Sequence, residues 1–126
     1  MDEKYLTEKI IRCAFNVHNE LGSGFLEKVY ENALRIELVQ ENIEVKQQAP
    51  VEVHYKGTVI GSYCADLLVE NKVLVELKAV ETLVKQHEVQ LVNYLKATGF
   101  SIGLLINFGT SVQIKRKMRD YNVEKD

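Results

Sequence analysis

The chain has 126 residues, of which 46% are hydrophobic and 27% are charged, and its formal net charge is −2. This length suits one domain with a hydrophobic core and is too short for two, so we expect a single domain over residues 1–126. The composition excludes a disordered chain, and no apolar run approaches the roughly 20 residues of a membrane helix. Because the polar N-terminus lacks a signal-peptide pattern and both cysteines are expected to be reduced, we predict a cytoplasmic protein without membrane contact.

Two helices are predicted at the start of the chain. Apolar residues recur at helical spacing over residues 6–21, and the glycine-rich segment 22–24 ends this first helix. A second apolar stripe begins at residue 26, and Asn42 closes the second helix.

Alternation of apolar and polar residues begins at residue 43 and predicts three consecutive strands. The first strand contains Pro50, which indicates a sheet edge or a bend, and it ends at a tight turn around Gly57. The second strand is expected over residues 58–69 and the third over residues 73–79, with a polar turn between them.

A third helix is predicted over residues 83–98, with Val84 facing inward and Gly99 as the stop. The almost wholly apolar segment 102–106 indicates a central strand that is buried on both faces. Residues 112–117 indicate a final edge strand. The order ααβββαβ(β) therefore predicts an α/β fold in which helices flank a mixed β-sheet.

Charged residues interrupt the third strand at Glu76 and Lys78. Alternation places both on the same face as the apolar Leu74. A solvated amphipathic strand would explain this pattern by itself. Since a carboxylate with apolar neighbours loses solvation, the pattern also fits a site in which a cation or partner compensates that loss.

The second strand repeats the pattern around Asp66. Alternation predicts that Asp66 lies between Cys64 and Leu68 on one face, with Ala65 on the other. The repetition on neighbouring strands favours a site over two solvated strands. In that site, Lys78 could hold a phosphate oxygen or prepare an attacking water.

The turn at residues 70–72 makes the pairing of the two acids testable. If the turn has three residues, Val69 opposes Val73 and Asp66 lies opposite Glu76, with Cβ atoms about 4.5–5.5 Å apart. A two-residue turn would place the carboxylates on opposite faces. Two such close carboxylates repel each other unless a divalent metal lies between them, and hard oxygen ligands suit Mg²⁺ or Mn²⁺.

The neighbouring helices carry further candidates. Glu27 fits either the positive end of the second helix or an extra acid of the site, and Tyr30, on the same side, is expected in the core. In the third helix Gln90 and Tyr94 lie one turn apart, on a face that is either solvated or directed at a scissile phosphate.

A basic cluster near the end of the chain consists of Lys115, Arg116, Lys117 and Arg119. It could contact nucleic-acid phosphates, and a solvated strand end explains it equally well. The net charge of −2 argues against a protein that coats nucleic acid. It argues less against a hydrolase, whose metal-binding carboxylates offset a basic surface.

The combination of Asp66 with Glu76-x-Lys78 resembles the signature of the PD-(D/E)XK nuclease superfamily, whose fold is restriction-endonuclease-like. Segment 24–30 resembles the motif that names the GxxExxY family within it. The similarity continues through residues 48–50, 55–57, 61–63, 90–95 and 103–108. Two positions depart from the pattern, because Ala65 replaces the superfamily's proline and Cys64 stands where many relatives are expected to carry arginine.

The resemblance implies a Mg²⁺-dependent nuclease, with Mn²⁺ as the alternative ion and DNA expected over RNA as substrate. The catalytic residues that it implies are Asp66, Glu76, Lys78 and Gln90, with support from Glu27, Tyr30 and Tyr94. The metal ligands would be Asp66, Glu76, Glu27 and the backbone carbonyl of Leu77.

Two alternatives stay open. A nuclease-fold module could bind nucleic acid or a protein partner without cleaving it. A structural or oligomerisation domain would leave Asp66 and Glu76 exposed and apart. Because so small a domain covers little duplex by itself, we also expect a homodimer.

Overall fold

Two helices precede three strands, a third helix and two further strands, as predicted. The computed structural model describes residues 1–120, and the polar tail over residues 121–126 lies outside the described part. That the whole chain forms one domain stays a prediction. The elements are α1 (Glu3–Leu21), α2 (Glu27–Gln40), β1 (Val45–Tyr55), β2 (Thr58–Val69), β3 (Val73–Lys78), α3 (Lys85–Thr98), β4 (Ile102–Phe108) and β5 (Val112–Met118).

The strands form one mixed sheet in the order β1-β2-β3-β4-β5. Only the β3–β4 pair is parallel, and α3 supplies the crossover that such a pair requires. All seven residues of β4 are buried, which confirms the prediction of a central strand. Pro50 lies in β1, an edge strand, where the loss of its N–H is tolerated.

The C-terminal ends of α2 and α3 lie just before the predicted stop residues. The start of α3 differs from the prediction. Asn42 takes a left-handed conformation (φ 60°) just after α2, and Gly99 does so (φ 83°) after α3. The helix α3 begins at Lys85, two residues later than predicted. The inward position predicted for Val84 is wrong, because Val84 is the extended N-cap and is exposed. Among the described residues, no helix is long and apolar enough to cross a membrane.

Apolar side chains cover both faces of the sheet. On one face, α1 and α2 pack on Val75 and its neighbours. On the other face, Leu91 and Leu95 of α3 pack on Leu74. Since Leu74 and Val75 point to opposite faces, the alternation predicted for β3 is confirmed, and Glu76 lies on the α3 side.

Candidate active site

The turn between β2 and β3 fixes the register of the strands that carry the two acids. Residues 70–72 form a three-residue turn that one backbone hydrogen bond of 3.0 Å closes. Val69 therefore opposes Val73, as predicted. The same register, continued along the strands, brings Asp66 opposite Glu76.

The strands β2 and β3 separate at Asp66 and Glu76. There, hydrogen bonds from backbone N–H groups to the two acid side chains replace the backbone hydrogen bonds that join the strands elsewhere. Pairing of β2 with β3 ends at Leu67 and Val75. Beyond that pair, the Leu77 N–H donates to Asp66 Oδ2 at 2.7 Å, and the Asp66 N–H donates to Glu76 Oε1 at 3.2 Å. A backbone N–H group thus holds each carboxylate between the strands. The two acids are neither exposed nor far apart, in contrast to the expectation for a structural domain.

The alternation of β2 breaks at Asp66. Ala65 packs in the same cluster as Leu68, so the prediction that they lie on opposite faces is wrong. The break coincides with an irregularity in the neighbouring strand, because the β1–β2 pairing skips Gln48 opposite Asp66. Gln48 takes a left-handed conformation with φ 53°.

The Glu76 carboxyl is almost fully buried, with 6% of the residue exposed. Burial, followed by the negative charge of Asp66, raises the pKa of Glu76 from 4.5 to about 8. The Asp66 N–H and the Lys78 ammonium act in the opposite direction. Near neutral pH the pair of acids therefore holds a proton, which a bound cation would displace.

Glu27 begins α2 beside the same centre. Burial and the charge of Asp66 raise its pKa, Lys78 lowers it, and Glu31 raises it. Within residues 1–120, however, no three histidine, cysteine, aspartate or glutamate side chains converge into a metal-binding cluster. The hard carboxylate oxygens of Asp66 and Glu76 fit a divalent cation as a two-acid site, with Glu27 at its side.

Lys78 ends β3 opposite Asn107 of the parallel strand β4. Its ammonium affects the pKa of Glu27, Glu76 and His87, so it lies within electrostatic reach of all three. In the described part of the chain no carboxylate forms a salt bridge with Lys78.

Gln90 and Tyr94 lie on α3, which packs on the same face of the sheet as Glu76. Gln90 Nε2 donates to the Tyr94 hydroxyl at 2.9 Å. Burial and then the negative charge of Glu76 raise the pKa of Tyr94, against the effect of the Gln90 hydrogen bond. Tyr94 therefore lies within electrostatic reach of Glu76, and the roles of Gln90 and Tyr94 in a site stay a prediction.

Tyr30 is fully buried, which confirms its predicted place in the core. Its hydroxyl donates to the Gly22 carbonyl at 2.6 Å and accepts from the Phe25 N–H at 3.3 Å. Its ring stacks on Phe108 with centroids 4.6 Å apart. Tyr30 thus fixes the loop that leads into Glu27, and it supports the site from a distance.

Sequence reasoning missed a polar network behind Asp66. Glu31 is 2% exposed, and its carboxylate accepts hydrogen bonds from Lys28 at 2.8 Å and Gln47 at 2.7 Å. Gln48 Nε2 bonds to Glu31 at 2.8 Å and to Asp66 Oδ1 at 3.4 Å. The sequence feature that could have indicated this network is Glu31, a second glutamate one helical turn after Glu27.

The four residues of the basic cluster do not converge. Lys117 is buried and pairs with Glu88 of α3 at 2.7 Å. Arg116 donates to the Thr7 hydroxyl of α1 at 3.1 Å, and Arg119 donates to the Gly99 carbonyl. The cluster is therefore divided between the two faces of the sheet, and only Lys115 is exposed without a hydrogen bond to another described residue.

The fold and the site define a class of α/β domains whose adjacent strands present two acids and a lysine. A model of the PD-(D/E)XK nuclease superfamily matches residues 4–119, and the chain belongs to that superfamily. No curated protein matches the chain.

Two solved structures share the fold. The crystal structure of SSO0001 gives a TM-score of 0.60 at 19% identity, over 79% of this chain and 53% of that chain. An alkaline exonuclease (LHK-Exo) from Laribacter hongkongensis gives 0.50 at 14% identity, over 74% and 56%. The chain therefore spans about half the length of these two proteins, and the likeness concerns the fold.

Proposed function

We propose that this protein is a metal-dependent nuclease that hydrolyses phosphodiester bonds in nucleic acid, with DNA preferred over RNA. The observation that carries the proposal is the pair Asp66 and Glu76, which backbone N–H groups hold at the point where two strands separate, with Lys78 at the end of β3. Membership of the superfamily supports it. Segment 24–30 supports a place in the GxxExxY family within the superfamily.

Asp66 and Glu76 would hold Mg²⁺ or Mn²⁺, with Glu27 and the backbone carbonyl of Leu77 as further ligands. When bound, such an ion polarises the phosphoryl group and lowers the pKa of a coordinated water. The hydrogen bonds from the strands keep both carboxylates in place before the ion arrives. This preorganisation reduces the entropic cost of binding.

Two side chains act on the substrate and the water. The Lys78 ammonium contacts a phosphate oxygen and offsets the negative charge that develops in the transition state. Gln90 donates its amide N–H to Tyr94, which leaves Gln90 Oε1 as an acceptor that orients the attacking water.

Cleavage assays with matched variants test this function. Linear and branched duplex DNA, single-stranded DNA and RNA are incubated with Mg²⁺ or Mn²⁺. Asp66→Asn keeps a carbonyl acceptor for the Leu77 N–H, so we expect it to fold and to lose about 100-fold in cleavage, and we expect the same loss of cleavage in Asp66→Ala. Glu8→Ala, an exposed acid on α1, is the control and should cleave normally.

Two outcomes would overturn the nuclease proposal. One is cleavage by Asp66→Asn at the rate of the wild type. The other is no cleavage of any substrate together with no Mg²⁺ binding by calorimetry.

A non-catalytic nuclease-fold module is the second candidate. The observation in its favour is that no three potential metal ligands converge among residues 1–120. This candidate predicts binding of nucleic acid or of a protein partner without metal-dependent turnover.

We further propose a cytoplasmic homodimer, because a domain of this size covers little duplex by itself. Analytical ultracentrifugation at working concentration tests the assembly, and a monomer alone would contradict it.

A further inference from the structure

An open cavity of about 1100 Å³ separates α3 from the β1–β2 hairpin. We call it the hairpin cleft. Its walls include His54 and Tyr63 from the hairpin and Lys85, His87, Tyr94 and Lys96 from α3. The proposed catalytic chemistry leaves most of this surface without a role.

The hairpin cleft is locally basic although the chain is acidic overall. None of the described residues that line it is an aspartate or glutamate. The one acid of α3, Glu88, is paired with Lys117 at 2.7 Å. Lys85 and Lys96 lie 11 residues apart in the sequence, which is about 16 Å along the helix axis and spans several nucleotides.

An exposed aromatic ring lies in the hairpin wall of the cleft, which faces α3. Tyr63 is 51% exposed, and its ring centroid is 5.8 Å from that of Tyr94. An aromatic face beside basic side chains is the arrangement by which proteins bind single-stranded nucleic acid without sequence preference. In a duplex, the faces of internal bases are already stacked on each other, so they are not free to stack on Tyr63.

The hairpin cleft leads to the acids. Tyr94 and Gln90 line it, and Tyr94 packs in one cluster with Leu74, which shares a face of β3 with Glu76. The charge of Glu76 also raises the pKa of Tyr94. At its other side, burial and the charge of Lys78 lower the pKa of His87. A strand that follows α3 would therefore pass from the two lysines to the catalytic centre.

We propose that the hairpin cleft binds one single strand of nucleic acid, with a base stacked on Tyr63 and phosphates held by Lys85 and Lys96, and leads it to Asp66 and Glu76. This inference rests on the proposed function, and it makes a single-stranded or unpaired segment the substrate. Single-stranded DNA and single-stranded RNA share a flexible phosphate chain with unstacked base faces. Matched DNA and RNA probes distinguish which of the two the cleft binds.

The first test is binding of labelled oligothymidylate of about ten nucleotides, followed by fluorescence anisotropy in EDTA so that no cleavage occurs. Tyr63→Ala should weaken binding about tenfold, because a base loses its stacking partner, and Tyr63→Phe should keep the affinity. Tyr5→Ala is the matched control, since Tyr5 is 50% exposed on α1. Oligouridylate of equal length is measured in parallel.

The second test is the salt dependence of binding. Each phosphate contact contributes about 0.7 to the slope of log affinity against log salt for a single strand, so Lys85→Ala combined with Lys96→Ala should reduce that slope by about 1.4. Lys46→Ala, an exposed lysine on β1 outside the cleft, should leave the slope unchanged.

Wild-type affinity in Tyr63→Ala, or equal affinity of a blunt duplex and oligothymidylate, would overturn the cleft proposal. Cleavage that depends on Asp66 would leave the nuclease proposal standing in that case. Conversely, binding that depends on Tyr63, without cleavage of any substrate and without Mg²⁺ binding, would support the cleft and overturn the nuclease proposal.

Discussion

At the scale of single residues, Asp66 and Glu76 have a structural role as well as a chemical one. Each accepts a hydrogen bond from a backbone N–H at the point where β2 and β3 separate. A buried donor that loses its acceptor costs about 1–3 kcal/mol. Alanine variants therefore combine the loss of a ligand with a loss of stability, and amide variants separate the two effects.

Glu76 should make the stability of the metal-free protein depend on pH. Its folded-state pKa of about 8 exceeds the unfolded value of 4.5, so between these values the folded state binds a proton that the unfolded state has lost. The stabilisation is complete below pH 4.5 and is lost as pH rises through 8. Over this window the contribution of Glu76 falls by up to about 1.4 kcal/mol per pH unit.

Urea denaturation in EDTA at several pH values measures this contribution, with Glu76→Gln as the comparison. The variant has no proton to lose, so its free energy of unfolding should fall less with pH than that of the wild type. Parallel curves for the two proteins would contradict the shifted pKa.

At the scale of elements, the order of helices and strands and the three-residue turn could be predicted from hydrophobic periodicity and turn residues. Hydrophobic periodicity and turn residues involve only positions that are close together in the sequence. The break in the alternation of β2 could not be predicted, because it coincides with a left-handed residue of the neighbouring strand, Gln48, which the sequence around Asp66 does not indicate. The Glu31 network was missed for a similar reason, since its amide donors come from β1 while the glutamate is on α2.

The link between β5 and α3 gives a prediction for the basic cluster. Lys117 and Glu88 have side-chain exposures of 7% and 19%, so Lys117→Met leaves a carboxylate that is mostly buried and has lost its cation. We expect the free energy of unfolding to fall by about 2–3 kcal/mol.

Lys115→Met on the same strand should change the unfolding free energy by less than about 0.5 kcal/mol, because Lys115 is exposed. Urea denaturation of both variants measures the difference. Equal stabilities would show that Lys117 belongs to a solvated edge, as the sequence pattern alone allowed.

At the scale of the whole molecule, the net charge includes contributions from two regions of opposite charge. The net charge of −2 combines an acidic centre with a hairpin cleft that has two lysines and no acid among its described lining residues. Sequence analysis predicted the acids because they lie ten residues apart in the chain on neighbouring strands. The cleft could not be predicted, because Tyr63 and Lys96 come to line one cavity only when α3 folds across the hairpin.

Metal binding should couple the stability of the whole domain to pH. A ligand that binds only the folded state stabilises it by RT ln(1 + [L]/Kd), which is about 2.7 kcal/mol at a concentration 100 times Kd. Since Glu76 must lose its proton to bind an ion, and its pKa is raised to about 8, the affinity for Mg²⁺ should fall as pH falls below that value. The loss should approach tenfold per pH unit, because one proton is displaced for each ion bound.

Thermal denaturation with and without Mg²⁺ at pH values on both sides of 8 measures this coupling. Glu8→Ala should keep the metal-induced increase in Tm, whereas Asp66→Asn should lose it. An increase in Tm that is equal at all pH values, or that persists in Asp66→Asn, would place the ion away from the paired acids.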